Sequence, residues 1–133
     1  MWFIFLILSS YLIGSIPTSI ILGKAICGID VREHGSLNPG ATNTFRVLGW
    51  KIGVLVGALD IFKGYATVAL VPVVIPDGAL PMGDMSAILA GFAAIAGHIW
   101  TVFAHFKGGK GVGTAFGVFV GLAPIPSCVA AAV

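Results

Sequence analysis

The amino-acid sequence predicts an all-α fold, a polytopic transmembrane helix bundle forming a single domain over residues 1–133. Three observations carry that reading. The chain is 58% hydrophobic and only 9% charged, whereas a soluble globular domain carries about 25% charged residues. Its mean hydropathy is +1.07. Four apolar stretches, at 2–23, 52–75, 86–104 and 112–133, approach the ~20 residues that span a bilayer.

The first stretch has no charge before Lys24. A secretory signal opens on a basic segment and none is present, so it reads as a retained helix. Its hydroxyls, Ser9, Ser10, Ser15, Thr18 and Ser19, can bond back to the helix backbone. Pro17 predicts a kink. Residues 28–51 are the most polar part of the chain. There Asn38 followed by Pro39 reads as an N-cap with proline at the first helical position, and Gly49 as the stop. The result is a short half-helix near 39–48 on which Asn43 and Arg46 are neighbours. It is too short to span, and such a polar segment is tolerated beside a membrane only against protein or water.

The second span carries Gly53-xxx-Gly57 for close helix contact. It also carries Asp60 and Lys63, one turn apart. Charges within a span are costly, so the two should face the bundle interior and pair, more as a structural ion pair than as a substrate contact. Ile75-Pro76-Asp77-Gly78 opens an acidic turn running to Asp84. In the third span the lone polar feature is His98, either a hydrogen-bonded packing residue or a base. The fourth carries Gly113-xxx-Gly117-xxx-Gly121, a smooth face for packing, and is interrupted by Pro124 and Pro126. Cys27 and Cys128 fall near opposite membrane faces, too far apart for a disulfide.

Lys24, Arg32, Arg46 and Lys51 flank or occupy the first loop, and Lys107 and Lys110 the third, while the middle turn has Asp77 and Asp84 and no basic residue. The positive-inside rule puts the first and third loops in the cytoplasm and the N-terminus outside. Both polar loops therefore open on one face and can build one site.

The third loop, Phe106-Lys107-Gly108-Gly109-Lys110-Gly111, precedes a helix expected from about Val112. Glycine N–H groups, two ammonium groups and a helix N-terminus suit phosphate or another anion. Pooled with Ser36, Asn38, Gly40, Thr42, Asn43 and Arg46, they form an inventory of anion ligands in which Arg46 can fork onto phosphate oxygens. Other chemistries fit poorly. A Walker A loop needs glycine and Ser/Thr where Ala104 and Gly111 stand. Histidines and carboxylates lack metal-ligand spacing. No Gly-x-Ser-x-Gly nucleophile elbow exists. The His-x-x-x-x-Asp arrangement of other acyltransferases is absent after His34, His98 and His105. The residues alone reach a membrane protein with a cytoplasmic phosphate site, either an enzyme or an anion transporter built on broken helices, with Asp60 and Lys63 lining a path.

Two strings narrow this. Residues 35–43, Gly-Ser-Leu-Asn-Pro-Gly-Ala-Thr-Asn, followed by Arg46, resemble the first signature of the bacterial acyl-phosphate-dependent glycerol-3-phosphate acyltransferases. Residues 97–103, Gly-His-Ile-Trp-Thr-Val-Phe, continuing into 106–111, resemble the second; Gly14-Ser15-Ile16-Pro17 and Asp60-x-x-Lys63-Gly64 are similar too. Departures are Leu37 and Gly113, where glycine and alanine are usual, and Thr101, where proline is usual. The resemblance implies transfer of an acyl group from acyl phosphate to the 1-hydroxyl of glycerol 3-phosphate in phospholipid biosynthesis, in a bacterial inner membrane. It implies Ser36, Arg46 and His98 as catalytic residues. Arg46, Lys107 and Ser36 would hold glycerol 3-phosphate. Gly108 to Gly111, Lys110, Asn38 and Thr42 would hold the acyl phosphate and oxyanion, with Gly40 and Asn43 lining the site. The proton acceptor is His98 or a substrate phosphate oxygen. Implied partners are the two substrates and membrane lipids, with no cofactor, metal or nucleic acid. The family continues into further helices and a third signature, so the resemblance also implies a C-terminally truncated chain. At residue 37, a leucine is expected to keep negative φ with its side chain toward lipid or a helix, because a left-handed leucine is strained by about 1–2 kcal/mol.

The loop charges yield a topology test. A thiol reagent confined to the outside should label a cysteine placed at Asp77 and none placed at Ser36 or Lys107; labelling at Ser36 in sealed, right-side-out vesicles would invert the topology.

Overall fold

The structure is a computed structural model and describes residues 1–71, 75 and 84–132. Of the acidic turn expected to run to Asp84, residues 76–83 lie outside the described residues, and Asp84 opens a helix. Among the described residues every regular element is helical.

Helices α1 (Trp2–Ser15) and α2 (Thr18–Cys27) form one apolar path of 26 residues. The kink expected at Pro17 is a full break. Ile16 leaves the helix with ψ 113°, as residues before proline are pushed to do. α2 ends at Gly28, whose φ of +66° turns the next N–H, that of Ile29, back onto the Gly23 carbonyl at 3.2 Å. A 3₁₀ turn at Val31–Glu33 leads on to α3 (Ala41–Leu48). Gly49, at φ +87°, joins α3 to α4 (Trp50–Ala69). α5 (Asp84–Ile99) is followed by a 3₁₀ turn at Val102–Ala104, then α6 (Val112–Leu122) and α7 (Pro124–Ala132).

Two expectations are corrected. Among the described residues three paths are long and apolar enough to cross a bilayer, Trp2–Cys27, Trp50–Ala69 and Met85–Ala104, and the fourth expected stretch holds the shorter apolar helix Val112–Leu122. α6 has 11 residues and so reaches only about 16 Å, because the chain leaves the helix at Ala123 before Pro124. The half-helix starts at Ala41, with Gly40 at the cap and no side-chain cap bond. Asn38 does not cap it: the Asn38 carbonyl is already turned onto the Gly40 N–H at 2.9 Å.

Packing runs mainly between α4 and α6 and between α1 and α5, with α3 folded back on α4. Lipid offers no hydrophobic drive for helix association, so small residues that let backbones touch carry it. A Cβ built on Gly117 would fall on the Ile61 carbonyl, one on Gly64 on the Thr114 carbonyl, and one on Gly14 on the Ala94 carbonyl. The predicted Gly53-xxx-Gly57 face meets Phe45 and Ala41 of α3. Large side chains such as Phe62, Phe92 and Phe119 stay exposed on the outside of the bundle, where lipid would cover them.

Asp60 and Lys63 pair at 2.9 Å as expected, both buried. Thr18 Oγ1 donates to Asp60 Oδ1 at 2.7 Å, and Lys63 Nζ donates to the Ile16 carbonyl at 3.0 Å. The charges in α4 thus bind the break in the first path. Ser19 Oγ donates to the Pro39 carbonyl at 2.8 Å, and Thr101 Oγ1 donates to the Ser15 carbonyl, so the same break anchors both polar loops.

The packing predicts opposite outcomes for two alanines. At Gly117 there is no room, so Gly117→Ala should lower the thermal midpoint in detergent by an amount worth about 1–3 kcal/mol. At Gly57 the nearest atom, Ala41 Cβ, is an ordinary 3.5 Å from the new Cβ. Gly57→Ala should leave stability unchanged or raise it by up to about 1 kcal/mol.

Candidate functional site

The first polar loop is held from within. Asp30 accepts from Arg32 Nε at 3.0 Å and Arg32 Nη2 at 2.7 Å, and from Lys24 Nζ at 3.2 Å. The Arg32 guanidinium holds the Asp30 carboxyl well below the usual carboxylate range. Arg32 and Lys24 are thereby committed to structure. Among the described residues Arg46, Lys107 and Lys110 have no ion-pair partner.

Asn43, expected to line the site, does so and is also the loop's internal brace. Its side-chain oxygen accepts the Ser36 N–H at 2.8 Å, and its amide donates to the Val31 and His34 carbonyls at 2.9 and 3.0 Å. Burial explains the role, since a buried amide must satisfy both ends. With the loop thus drawn round Asn43, Ser36 and Asn38 stand on a wall between two cavities.

The glycine loop is also more structural than expected. Gly108 N–H donates to the Ile99 carbonyl at 3.0 Å and Gly109 N–H to the His98 carbonyl at 3.1 Å. These amides close the C-terminal carbonyls of α5 and are unavailable to an anion. The glycines are required by contact, because a Cβ on Gly108 would fall on the His98 carbonyl and one on Gly109 on His98 Nε2. His105 and Phe106, at φ +56° and +60°, turn the chain into this position. Nothing in the sequence marks those two residues as left-handed.

What remains for a ligand gathers in a cavity of about 450 Å³. The N-termini of α3 and α6 open on it through Gly40, Ala41 and Thr42 and through Gly111, Val112 and Gly113, together with Arg46 and Lys110. Their first-turn N–H groups have no intrahelical partners and carry the positive ends of two dipoles. Asp60 and His98 line the same space. His98 is buried, but its Nδ1 has no hydrogen-bond partner and lies 3.6 Å from Asp60 Oδ1. It is therefore not the hydrogen-bonded packing residue that was one of its two expected roles.

The second cavity, about 420 Å³, is lined by Lys107, Gly108, Ser36, Asn38 and Leu37, with the Asp30–Arg32 pair and Glu33 at its edge. Lys107 and Arg46, expected on one substrate, thus face different cavities. Leu37 is also corrected. Its φ is +61°, and its side chain, 60% exposed, lines the second cavity rather than turning to a helix. The cause is the tight turn around Asn43: Gly35 is left-handed as well, and the Leu37 N–H returns to the His34 carbonyl at 3.1 Å.

A sequence model of the glycerol-3-phosphate acyltransferase family matches residues 4–133. The glycerol-3-phosphate acyltransferase of Chlorobaculum tepidum is 57% identical over 130 residues, covering 92% of this chain and 55% of that protein. That of Chlorobaculum parvum is 56% identical over 130 residues, with the same coverages of 92% and 55%. The chain spans about half the length of these curated relatives. The crystal structure of PlsY (YgiH), an integral membrane glycerol 3-phosphate acyltransferase in its glycerol 3-phosphate form, superposes with a TM-score of 0.87 at 37% identity, over 100% of this chain and 64% of that one.

The strained turn gives a measurable consequence. Leu37→Gly relieves about 1–2 kcal/mol of left-handed strain and returns roughly 0.5–1 kcal/mol of it as unfolded-state freedom. The thermal midpoint should rise slightly. A fall would count against the left-handed turn.

Proposed function

The chain belongs to the glycerol-3-phosphate acyltransferase family, and from that premise we propose that it serves acyl transfer from acyl phosphate to the 1-hydroxyl of glycerol 3-phosphate. The products are lysophosphatidic acid and inorganic phosphate, in phospholipid biosynthesis. The integral membrane bundle sits in a bacterial inner membrane with its N-terminus outside and both polar loops in the cytoplasm, as the loop charges favour.

One observation carries this reading: two cavities, each with at least one cation lacking an ion-pair partner among the described residues, share a wall made of Ser36 and Asn38. A reaction between two phosphate-bearing substrates needs two anion sites whose contents meet. Arg46, Lys110, Thr42, Gly40 and Gly111, with the two helix N-termini, hold the phosphate of glycerol 3-phosphate. Lys107, beside Gly108, holds the phosphate of the donor. The acyl carbonyl then lies at the shared wall, where Ser36 and Asn38 can donate to the oxyanion that develops there. Phosphate is a good leaving group, so positioning and charge stabilisation do most of the work. The hydroxyl proton passes to His98 or to a phosphate oxygen. Gly109 and Asn43 support the site rather than touch substrate.

Glycerol-3-phosphate-dependent phosphate release from acyl phosphate by the complete protein tests the activity; a transporter releases none. Within that assay Arg46→Ala should raise KM for glycerol 3-phosphate, and Lys107→Ala should raise KM for acyl phosphate. Each loses a charge-assisted bond worth about 1.5–3 kcal/mol, roughly ten- to a hundredfold. Unchanged KM values in both variants would remove the assignment.

A further inference from the structure

Asp60 poses a problem for a purely structural account. Thr18 and Lys63 both reach the same oxygen, Oδ1, and His98 Nδ1 faces that oxygen too. Among the described residues no group bonds Oδ2. Oδ2 is not one of the fully buried polar atoms left without a partner, so this oxygen keeps open surface where Asp60 borders a cavity. Asp60 also lines the 450 Å³ cavity, beside Gly57, Ile61 and His98. Every other charged group lining that cavity is a cation, Arg46 or Lys110.

The cavity is therefore sorted by charge. Arg46, Lys110 and two helix N-termini attract an anion; Asp60 repels one and accepts a hydrogen bond. A ligand that fits both is anionic at one end and a hydrogen-bond donor at the other. We propose that Asp60 Oδ2 receives the reacting hydroxyl of the phosphorylated alcohol, while Arg46 and Lys110 hold its phosphate. This rests on the function proposed above and deepens it. It fixes which way round the acceptor lies, and it makes the cavity favour the phosphorylated alcohol over acyl phosphate, which has no hydroxyl. Asp60 lies ten residues into α4, about 15 Å from its start. The hydroxyl is thus carried toward the hydrocarbon side, from which an acyl chain arrives. Asp60 is a positioning acceptor: its bond to the hydroxyl hydrogen turns the oxygen lone pairs to the acyl carbon, and as the new C–O bond forms the acyl–phosphate bond breaks, phosphate leaves with its electron pair, and the proton passes on to His98 or a phosphate oxygen. Lys63 Nζ, 2.9 Å from Oδ1, leaves Oδ2 free for this bond.

Calorimetry in lipid nanodiscs tests this with three probes: glycerol 3-phosphate, 2-hydroxypropyl phosphate, which lacks the terminal hydroxyl, and inorganic phosphate. The wild type should prefer glycerol 3-phosphate over 2-hydroxypropyl phosphate by about tenfold or more, as a bond to a charged acceptor implies. Asp60→Leu/Lys63→Met replaces the buried pair by apolar side chains of similar volume, a change that is often neutral for stability. It should bind those two probes alike and still bind inorganic phosphate. Should that variant fail to fold, the wild type gives a second measurement. The carboxylate stretch of ¹³C-aspartate should shift with glycerol 3-phosphate and not with 2-hydroxypropyl phosphate. Persisting discrimination in the double variant, equal weakening of all three probes, or no discrimination and no spectral shift in the wild type would overturn the role of Asp60. If the wild type binds none of the three, or Arg46→Ala changes nothing, the phosphate site itself falls, which is a distinguishable failure.

Discussion

An ion pair in the middle of an apolar helix is tolerable only if each charge finds its complement nearby, and here the complements come from a broken helix. Lys63 takes the Ile16 carbonyl and Asp60 takes the Thr18 hydroxyl, on either side of Pro17. Without the break neither group would be presented there, and without the pair the Ile16 carbonyl exposed by the break would keep only the Thr18 N–H, at 3.0 Å, as a donor. Each defect satisfies the other. The same break carries Ser15 and Ser19, whose bonds to Thr101 and Pro39 set the heights of the two polar loops. The walls of both cavities are therefore referenced to one point in the membrane.

Glycine does two different jobs in this arrangement. Along α4 and α6 it removes the Cβ that would hold the helices apart. In the loop after α5 it lets the chain lie against the carbonyls of His98 and Ile99 and cap them. That cap matters electrostatically. The α5 helix ends beside the cavity that His98 lines, and two N–H groups bonded to its last carbonyls reduce the opposition of its dipole to any anion there. The amides that remain open belong to the first turns of α3 and α6.

Composition and periodicity made the helical membrane fold legible, because hydrocarbon permits few alternatives. The α4 ion pair was legible for the same reason: a charge there must pair, and Asp60 and Lys63 were one turn apart. Boundaries were less so. The short α6 depends on where Ala123 leaves the helix, and the start of α3 on a turn that Asn38 makes with its backbone instead of its side chain. In the site, residue types were visible but their division of labour was not. Asn38 and Asn43 look equivalent in sequence; burial makes one a wall and the other a brace. Likewise the left-handed Leu37 follows from a turn closed by a residue six positions away, which no local pattern at 36–38 encodes.

The placement of charge suggests why the cations are exposed and the carboxylate is buried. On the function and hydroxyl role proposed above, a phosphate arriving from water and leaving into it is best met by Arg46 and Lys110 at the open rim, where binding is screened and exchange is easy. Buried cations would hold the dianion too tightly to release it. A hydroxyl carries no charge and exchanges readily, so its partner has to gain strength from low dielectric instead. Asp60, 3% exposed and paired with Lys63 at 2.9 Å, is in such surroundings. Attraction is spent where exchange has to be fast, and selectivity is placed where water is scarce.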